Sequence, residues 1–220
     1  MATRNTKSYS KFTYNDLSAL GLQVIIVDLF AGETIAPVQP SAVLFEILEG
    51  ASEVSLDTEK ARSEFLIAPI LRELQKNNKT VFAVYSGFNF EVEASKGLQG
   101  FCDYLLAKLP LQPVPTSPII AVVEAKLSGS LGAAIPQCVA EMYASRLWNE
   151  QRGEPLHTIY GVITNGESWL FLRYKEGAMV EVDKITYALA KVEDVLGVLH
   201  VILLQFLHRI CNIIGLFVGV

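Results

Sequence analysis

Ile119-Ile120-Ala121-Val122-Val123-Glu124-Ala125-Lys126-Leu127 is an apolar run that ends in a carboxylate and an ammonium. Read as an extended chain it is apolar on both faces, as expected of a central strand covered on both sides. Glu124 and Lys126 lie two apart, so their side chains point to the same face. A carboxylate or an ammonium left alone in such surroundings is expensive, and the two are therefore expected to be paired, hydrated or metal-bound.

Upstream of this run is a loop carrying Pro110, Pro113, Pro115 and Pro118, and before it a second strand, Leu98 to Leu106, entered through a turn at Gly97. Still earlier, Phe88, Phe90 and Val92 alternate with Asn89, Glu91 and Glu93, which is period-two strand patterning with a solvated acidic face. Folding antiparallel about the proline loop brings Asp103 near Val122–Glu124, where it would stand beside Glu124. Downstream, Pro136 suits the first residue of a helix reaching about Gln151. Thr158–Thr164 and Trp169–Tyr174 flank Asn165-Gly166, a hairpin signal. Toward the N-terminus the sequence predicts a short helix from Thr13 to Leu20 with a Thr13/Asp16 capping pair, and a buried strand from Val24 to Phe30. A short helix from Ser41 to Leu48 is expected after Pro37 and Pro40. A longer helix, capped by Asp57 or Thr58 and ending at Asn77 and Asn78, should reach Gln75 with Phe65, Ile67, Ala68, Leu71 and Leu74 buried. The core order is helix, three strands, helix, two strands: an α/β sandwich with a mixed central sheet flanked by helices.

The chain has 220 residues, 51% of them hydrophobic and 19% charged, which fits one folded domain and excludes a disordered or low-complexity protein. Cys102, Cys138 and Cys211 are widely spaced and form no CxxC pair, against a disulfide framework or a cysteine-type zinc site. The stretch from Met1 to Lys11 is polar, with no apolar signal segment, and a cytoplasmic protein is expected. The net charge is −5, so any hold on nucleic acid must come from a local patch rather than bulk charge. From residue 191 to 216 the chain reads as an amphipathic apolar helix. Leu196, Leu199, Leu203, Phe206, Ile210, Ile213 and Ile214 gather on one side, and Asp194, Gln205, His208, Arg209 and Asn212 on the other. That sidedness argues against a membrane span. The apolar face is expected to pack on the sheet or to serve as an interface, with a homodimer or a partner subunit as its use.

Asp103 and Glu124 would repel each other in a small site, and a hard divalent ion with oxygen ligands relieves that repulsion. Mg²⁺ or Mn²⁺ shared by Asp103, Glu124 and the Ala125 carbonyl could polarise a phosphodiester and generate hydroxide from water. Lys126 would position or activate that water, or stabilise charge on the phosphoryl oxygens.

Asp103…Glu124-Ala125-Lys126 resembles the signature of the PD-(D/E)xK nuclease superfamily, the restriction-endonuclease-like fold. Gly100-Phe101-Cys102-Asp103-Tyr104 is similar to the strand bearing that family's first catalytic acid, with Cys102 in place of the proline. Glu64, within SEFLIAPIL, resembles the family's helix glutamate that helps bind metal. Gln137, with Tyr143 six residues on, resembles the helix motif of recombination-type members. Thr164-Asn165-Gly166 followed by Trp169 and Phe171 resembles the end of the nuclease domain in type I restriction subunits. The resemblance spans 59–174 and leaves 1–58, an N-terminal extension, and the last helix unaccounted for; no helicase or methylase region is attached. It implies a metal-dependent nuclease acting on DNA, with Asp103, Glu124, Lys126 and Gln137 as catalytic residues.

Plainer readings exist for the other polar residues. His200 and His208 are eight apart on a helix, not the four that metal pairs favour, and His157 reads as a loop residue. Trp148 and Trp169 read as packing rather than base-stacking platforms. Two function classes follow: a metal-dependent nuclease, favoured by the Asp103/Glu124/Lys126 set, and a non-catalytic interaction or assembly module, favoured by the net acidity.

Overall fold

The computed structural model describes residues 7–127 and 129–214. From the N-terminus the chain forms α1 (Tyr14–Ala19), β1 (Gln23–Val27) and α2 (Ala42–Gly50). α3 (Glu59–Arg62) then runs through a π-helical turn (Ser63–Ile67) into α4 (Ala68–Asn77). There follow β2 (Phe82–Glu93), β3 (Leu98–Lys108), β4 (Ile119–Ala125), α5 (Ile135–Gln151), β5 (Thr158–Thr164), β6 (Ser168–Lys175), β7 (Met179–Ala188) and α6 (Val192–Ile214). The starts of these helices follow local chemistry. Thr13 and Asp16 satisfy each other's backbone N–H groups in a capping box at α1, Ser41 caps α2, Thr58 caps α3, and Pro136 sits in the first turn of α5.

The seven strands form one mixed sheet in the order β1-β7-β6-β5-β4-β3-β2. β2, β3 and β4 are an antiparallel meander, and β4 pairs parallel with β5, with α5 as the crossover. All seven residues of β4 are buried, as its two apolar faces require. α5 covers one face, packing Cys138, Val139 and Met142 on Leu105, Val122, Ile163 and Leu172. α4 and α6 cover the other, packing Ile67, Ile70, Leu74, Val195, Leu199 and Phe206 on Val123, Ala125 and Phe171. The α5 contact is close enough to require glycine. A Cβ on Gly161 of β5 would stand 2.5 Å from Met142 Sδ and 2.8 Å from Cys138 Sγ. The N-terminal half of α5 is thereby held tightly against the sheet.

Three features differ from the sequence expectation. β7 was not anticipated; its Glu181 is met by Arg173 on the neighbouring strand, and its Asp183 accepts from the backbone N–H groups of Leu29 and Ile185. β1 is an edge strand paired only with β7, so the apolar run expected to be buried leaves Ile26 75% exposed. The 1–58 segment supplies that edge strand. Phe65, expected on the buried stripe of its helix, lies in the π-helical turn and is 40% exposed. The wider turn rotates it off the stripe that Ile67, Leu71 and Leu74 keep. α6 buries Leu196, Leu199, Leu203 and Phe206 against its own sheet, so packing is the observed use of that face over those residues. The side chains of His208, Arg209, Ile210, Asn212, Ile213 and Ile214 lie outside the described residues. Among the described residues no helix is long and apolar enough to cross a membrane.

Candidate functional site

The β3–β4 register pairs Tyr104 with Val123 and Leu105 with Val122, which sets Asp103 level with Glu124. Asp103 Oδ2 accepts a hydrogen bond from the Ala125 N–H at 2.7 Å, so the acid is tied to the neighbouring strand. On its other side β2 is distorted. Between the pairs Ser86–Tyr104 and Phe88–Cys102, Gly87 takes φ +62°, a left-handed conformation that favours glycine.

Glu124 is 1% exposed and its two oxygens differ. Oε1 pairs directly with Lys126 Nζ, whereas Oε2 is buried with no N–H donor or hydroxyl beside it, and the neighbouring carboxyls are those of Asp103 and Glu141. Lys126 Nζ also donates to Gln137 Oε1 at 3.2 Å, and Gln137 Nε2 donates to Glu141 Oε1 at 3.2 Å. Glu141 is 0% exposed, and its Oε2 likewise lacks a partner. Asp103, Glu124, Lys126 and Gln137 are therefore brought together, and Ala125 takes part through its N–H.

The electrostatics follow from burial and crowding. Burial, then Asp103, pushes the Glu124 carboxyl up to about 7 from its ordinary 4.5. Burial raises Asp103 as well, against the Ala125 N–H and Lys126, which favour its charged form. Glu141 is driven well above the ordinary carboxylate range by burial and by Glu124. For Lys126, burial acts downward, but Glu124, Glu59 and Asp103 outweigh it, and the ammonium is held above its ordinary value. Cys102 and Cys138 border this acidic site. Burial, with Glu141 next, pushes both thiols well up, so neither supplies a thiolate nucleophile.

Glu64 does not join the group. Its carboxylate pairs with Lys60, its side chain is 53% exposed, and it lines a surface hollow with Val43, Ile47 and Arg72. The carboxylate of that helix which bears electrostatically on both Asp103 and Lys126 is Glu59, at the start of α3. Glu59 and Glu141 are the site residues that sequence reasoning missed. A signal existed for Glu141: an acid in the apolar stretch Cys138-Val139-Ala140-Glu141-Met142, four residues after Gln137 and so on the same helix face. His157 pairs with the exposed Glu176, and Trp169 is fully buried with Nε1 donating to the Gly166 carbonyl at 3.1 Å.

Among the described residues no three of His, Cys, Asp and Glu form a preassembled metal cage. The chemistry of the pair Asp103 and Glu124 nonetheless fits a hard divalent ion. Both ligand groups are oxygen acids, and one buried oxygen of Glu124 has no partner. Mg²⁺ keeps several of its waters and needs only one or two protein carboxylates. No family model matches the chain, and neither a curated protein nor a solved structure matches it.

Proposed function

We propose that this protein is a divalent-metal-dependent nuclease with a restriction-endonuclease-like fold, hydrolysing phosphodiester bonds of DNA. The observation that carries the reading is the unmet Oε2 of Glu124, buried beside Asp103 and next to an ammonium. The helix, three-strand meander, helix and parallel strand, in that order, are what the PD-(D/E)xK resemblance implies and support it further.

Asp103 and Glu124 would hold Mg²⁺ or Mn²⁺ together with the Ala125 carbonyl, and Glu59, whose charge bears on Asp103 and Lys126, would act on it from outside its direct ligands. When bound, the ion supplies a Lewis acid for the phosphodiester and lowers the pKa of a water. Lys126, held above its ordinary value, stays protonated near neutral pH. It therefore acts as a cation against the charge that builds on the phosphoryl oxygens, not as a proton acceptor. Gln137 steadies its Nζ from the opposite side of the ion pair.

The test is purified protein with supercoiled, linear and single-stranded DNA and Mg²⁺ or Mn²⁺ at low ionic strength, where an acidic chain binds nucleic acid best. Metal-dependent cleavage that disappears in Lys126→Ala is expected. Cleavage that persists unchanged in that variant would assign the activity elsewhere. The second reading, a non-catalytic interaction or assembly module, draws on the net charge of −5, and absence of cleavage of every substrate would favour it.

A further inference from the structure

Glu141 has no role in the reading above, yet its acidic side chain is fully buried, 0% exposed. We propose that Glu141 is a positioning residue that, by orienting the amide of Gln137, fixes the Lys126 ammonium beside Glu124. This rests on Lys126 being the catalytic cation.

The argument begins with lysine. Its ammonium is a point charge on a flexible four-carbon stem, and one anchor leaves it free to swing about that contact. Glu124 Oε1 is one anchor and Gln137 Oε1 is the second. A glutamine amide, however, has an acceptor end and a donor end of nearly the same shape. An ammonium carries only donors, so Gln137 steadies Lys126 only with its oxygen turned inward. Glu141 decides that orientation: its Oε1 accepts from Gln137 Nε2 and leaves Oε1 of Gln137 for the lysine.

Local structure supports such a relay. Gln137 and Glu141 are four apart on α5 and share a face. The close packing of Met142 and Cys138 on Gly161 holds that face in place. A buried acid is costly, and an apolar residue of similar size would commonly serve stability as well or better. Packing alone therefore gives no reason for a carboxylate here, whereas orienting an amide does.

The experiment is amine acetylation of the metal-free full chain, followed lysine by lysine by mass spectrometry, with Lys184 as internal standard because it pairs with Asp28 outside this network. Glu141→Met should raise the rate at Lys126 about tenfold, as expected for losing a hydrogen bond to a charged group. Glu141→Gln keeps an oxygen for Gln137 Nε2 and should restore the parent rate. Gln137→Met, at a half-buried position, should raise the Lys126 rate by about the same factor, and Glu141→Gln against the parent keeps the test of Glu141 where Glu141→Met fails to fold. Where both fold, the double variant should add nothing, because both changes cut one chain of contacts. An unchanged Lys126 rate in Glu141→Met or in Gln137→Met, or additive effects in the double variant, would overturn the proposal. The measurement uses neither metal nor DNA, so failure of the parent to cleave would count against the nuclease reading and leave this result standing.

Discussion

Glu124 and Glu181 are both nearly buried glutamates on strands of the same sheet, and both touch basic side chains. Glu181 has each oxygen engaged: Arg173 Nε donates to Oε2 and Lys175 Nζ to Oε1, both at 2.8 Å. Burial works to raise its pKa, but Lys175 and Arg173 outweigh burial and hold the carboxyl below its ordinary value. Glu124 has one lysine, two neighbouring acids (Asp103 and Glu141) and one oxygen with no N–H or ammonium to bond, and it is pushed up to about 7. A cation next to a carboxylate is therefore not in itself the mark of a reactive site. What separates the two is an unmet acceptor beside a second acid, an arrangement that costs stability in the metal-free chain and that a divalent ion would relieve.

The largest expected effect breaks the comparison directly, by removing the cation from each glutamate. On the proposed function, Lys126→Ala should slow metal-dependent cleavage by about 3–4 kcal/mol of barrier, a hundred- to thousandfold, because it would delete the cation proposed to act on developing charge. Arg173→Ala should leave the cleavage rate near that of the parent and instead cost about 1–3 kcal/mol of folding stability, the range for a hydrogen bond to a charged group. Rates from single-turnover cleavage and stabilities from urea melts give the two readouts. Equal loss of rate in both variants would make Lys126 as structural as Arg173.

The pH dependence of stability sharpens the contrast, because the two glutamates shift in opposite directions. Glu124 has a folded value of about 7 against an ordinary 4.5, so between those values the native state binds more protons than the unfolded chain. Its contribution to unfolding free energy therefore falls as pH rises through that window, by about 3 kcal/mol at one pKa unit per 1.36 kcal/mol. Glu181, held low, contributes in the reverse sense: its stabilisation is present above the unfolded value and is lost as pH falls. Urea melts of metal-free protein from pH 4.5 to 7 should show a declining trend that Glu124→Gln makes shallower, with the raised Asp103 and Glu141 keeping part of it. A rise across this window that survives Glu124→Gln would contradict the raised value.

How much of this was legible in sequence depends on whether the signal was local. The β3–β4 hairpin could be read because two apolar runs face each other across a proline-rich loop, and period two then sets Asp103 beside Glu124. α5 was readable from Pro136 at its start. β7 was not, because Glu181, Asp183 and Lys184 break its apolar pattern, and partners distant in sequence, Arg173 for Glu181, the Leu29 N–H for Asp183 and Asp28 for Lys184, are what bear them. Missing β7 also hid the edge position of β1, whose Gln23–Val27 run looks buried when read alone. Glu141 sits in an apolar helical stretch, where one acid reads as a surface residue until the facing strand is known.

The smallest expected effect concerns the helix carboxylate, where sequence and structure select different residues. Glu64 and Glu59 are five apart, and the π-helical turn that begins at Ser63 alters the angular relation between them. No sequence period foretells such a turn. Glu64 ends up paired with Lys60 at the surface, while the charge of Glu59 reaches Asp103 and Lys126. If Glu59 contributes through the ion's water shell, Glu59→Gln should weaken Mn²⁺ binding about tenfold, the lower end for an outer-shell partner. Asp103→Asn and Glu124→Gln, which would remove the proposed inner ligands, should weaken it far more, and Glu64→Gln should leave it unchanged. Glu59 lies in the first turn of α3, so its loss also removes a favourable interaction with the helix dipole, about 0.3–1 kcal/mol of stability. That small stability cost does not bear on the titration, because calorimetry with Mn²⁺ reads the ion directly in folded protein. A reversed pattern, with Glu64→Gln weakening binding and Glu59→Gln silent, would restore the sequence-based assignment. It would also mean that the Lys60–Glu64 pair opens when the ion binds.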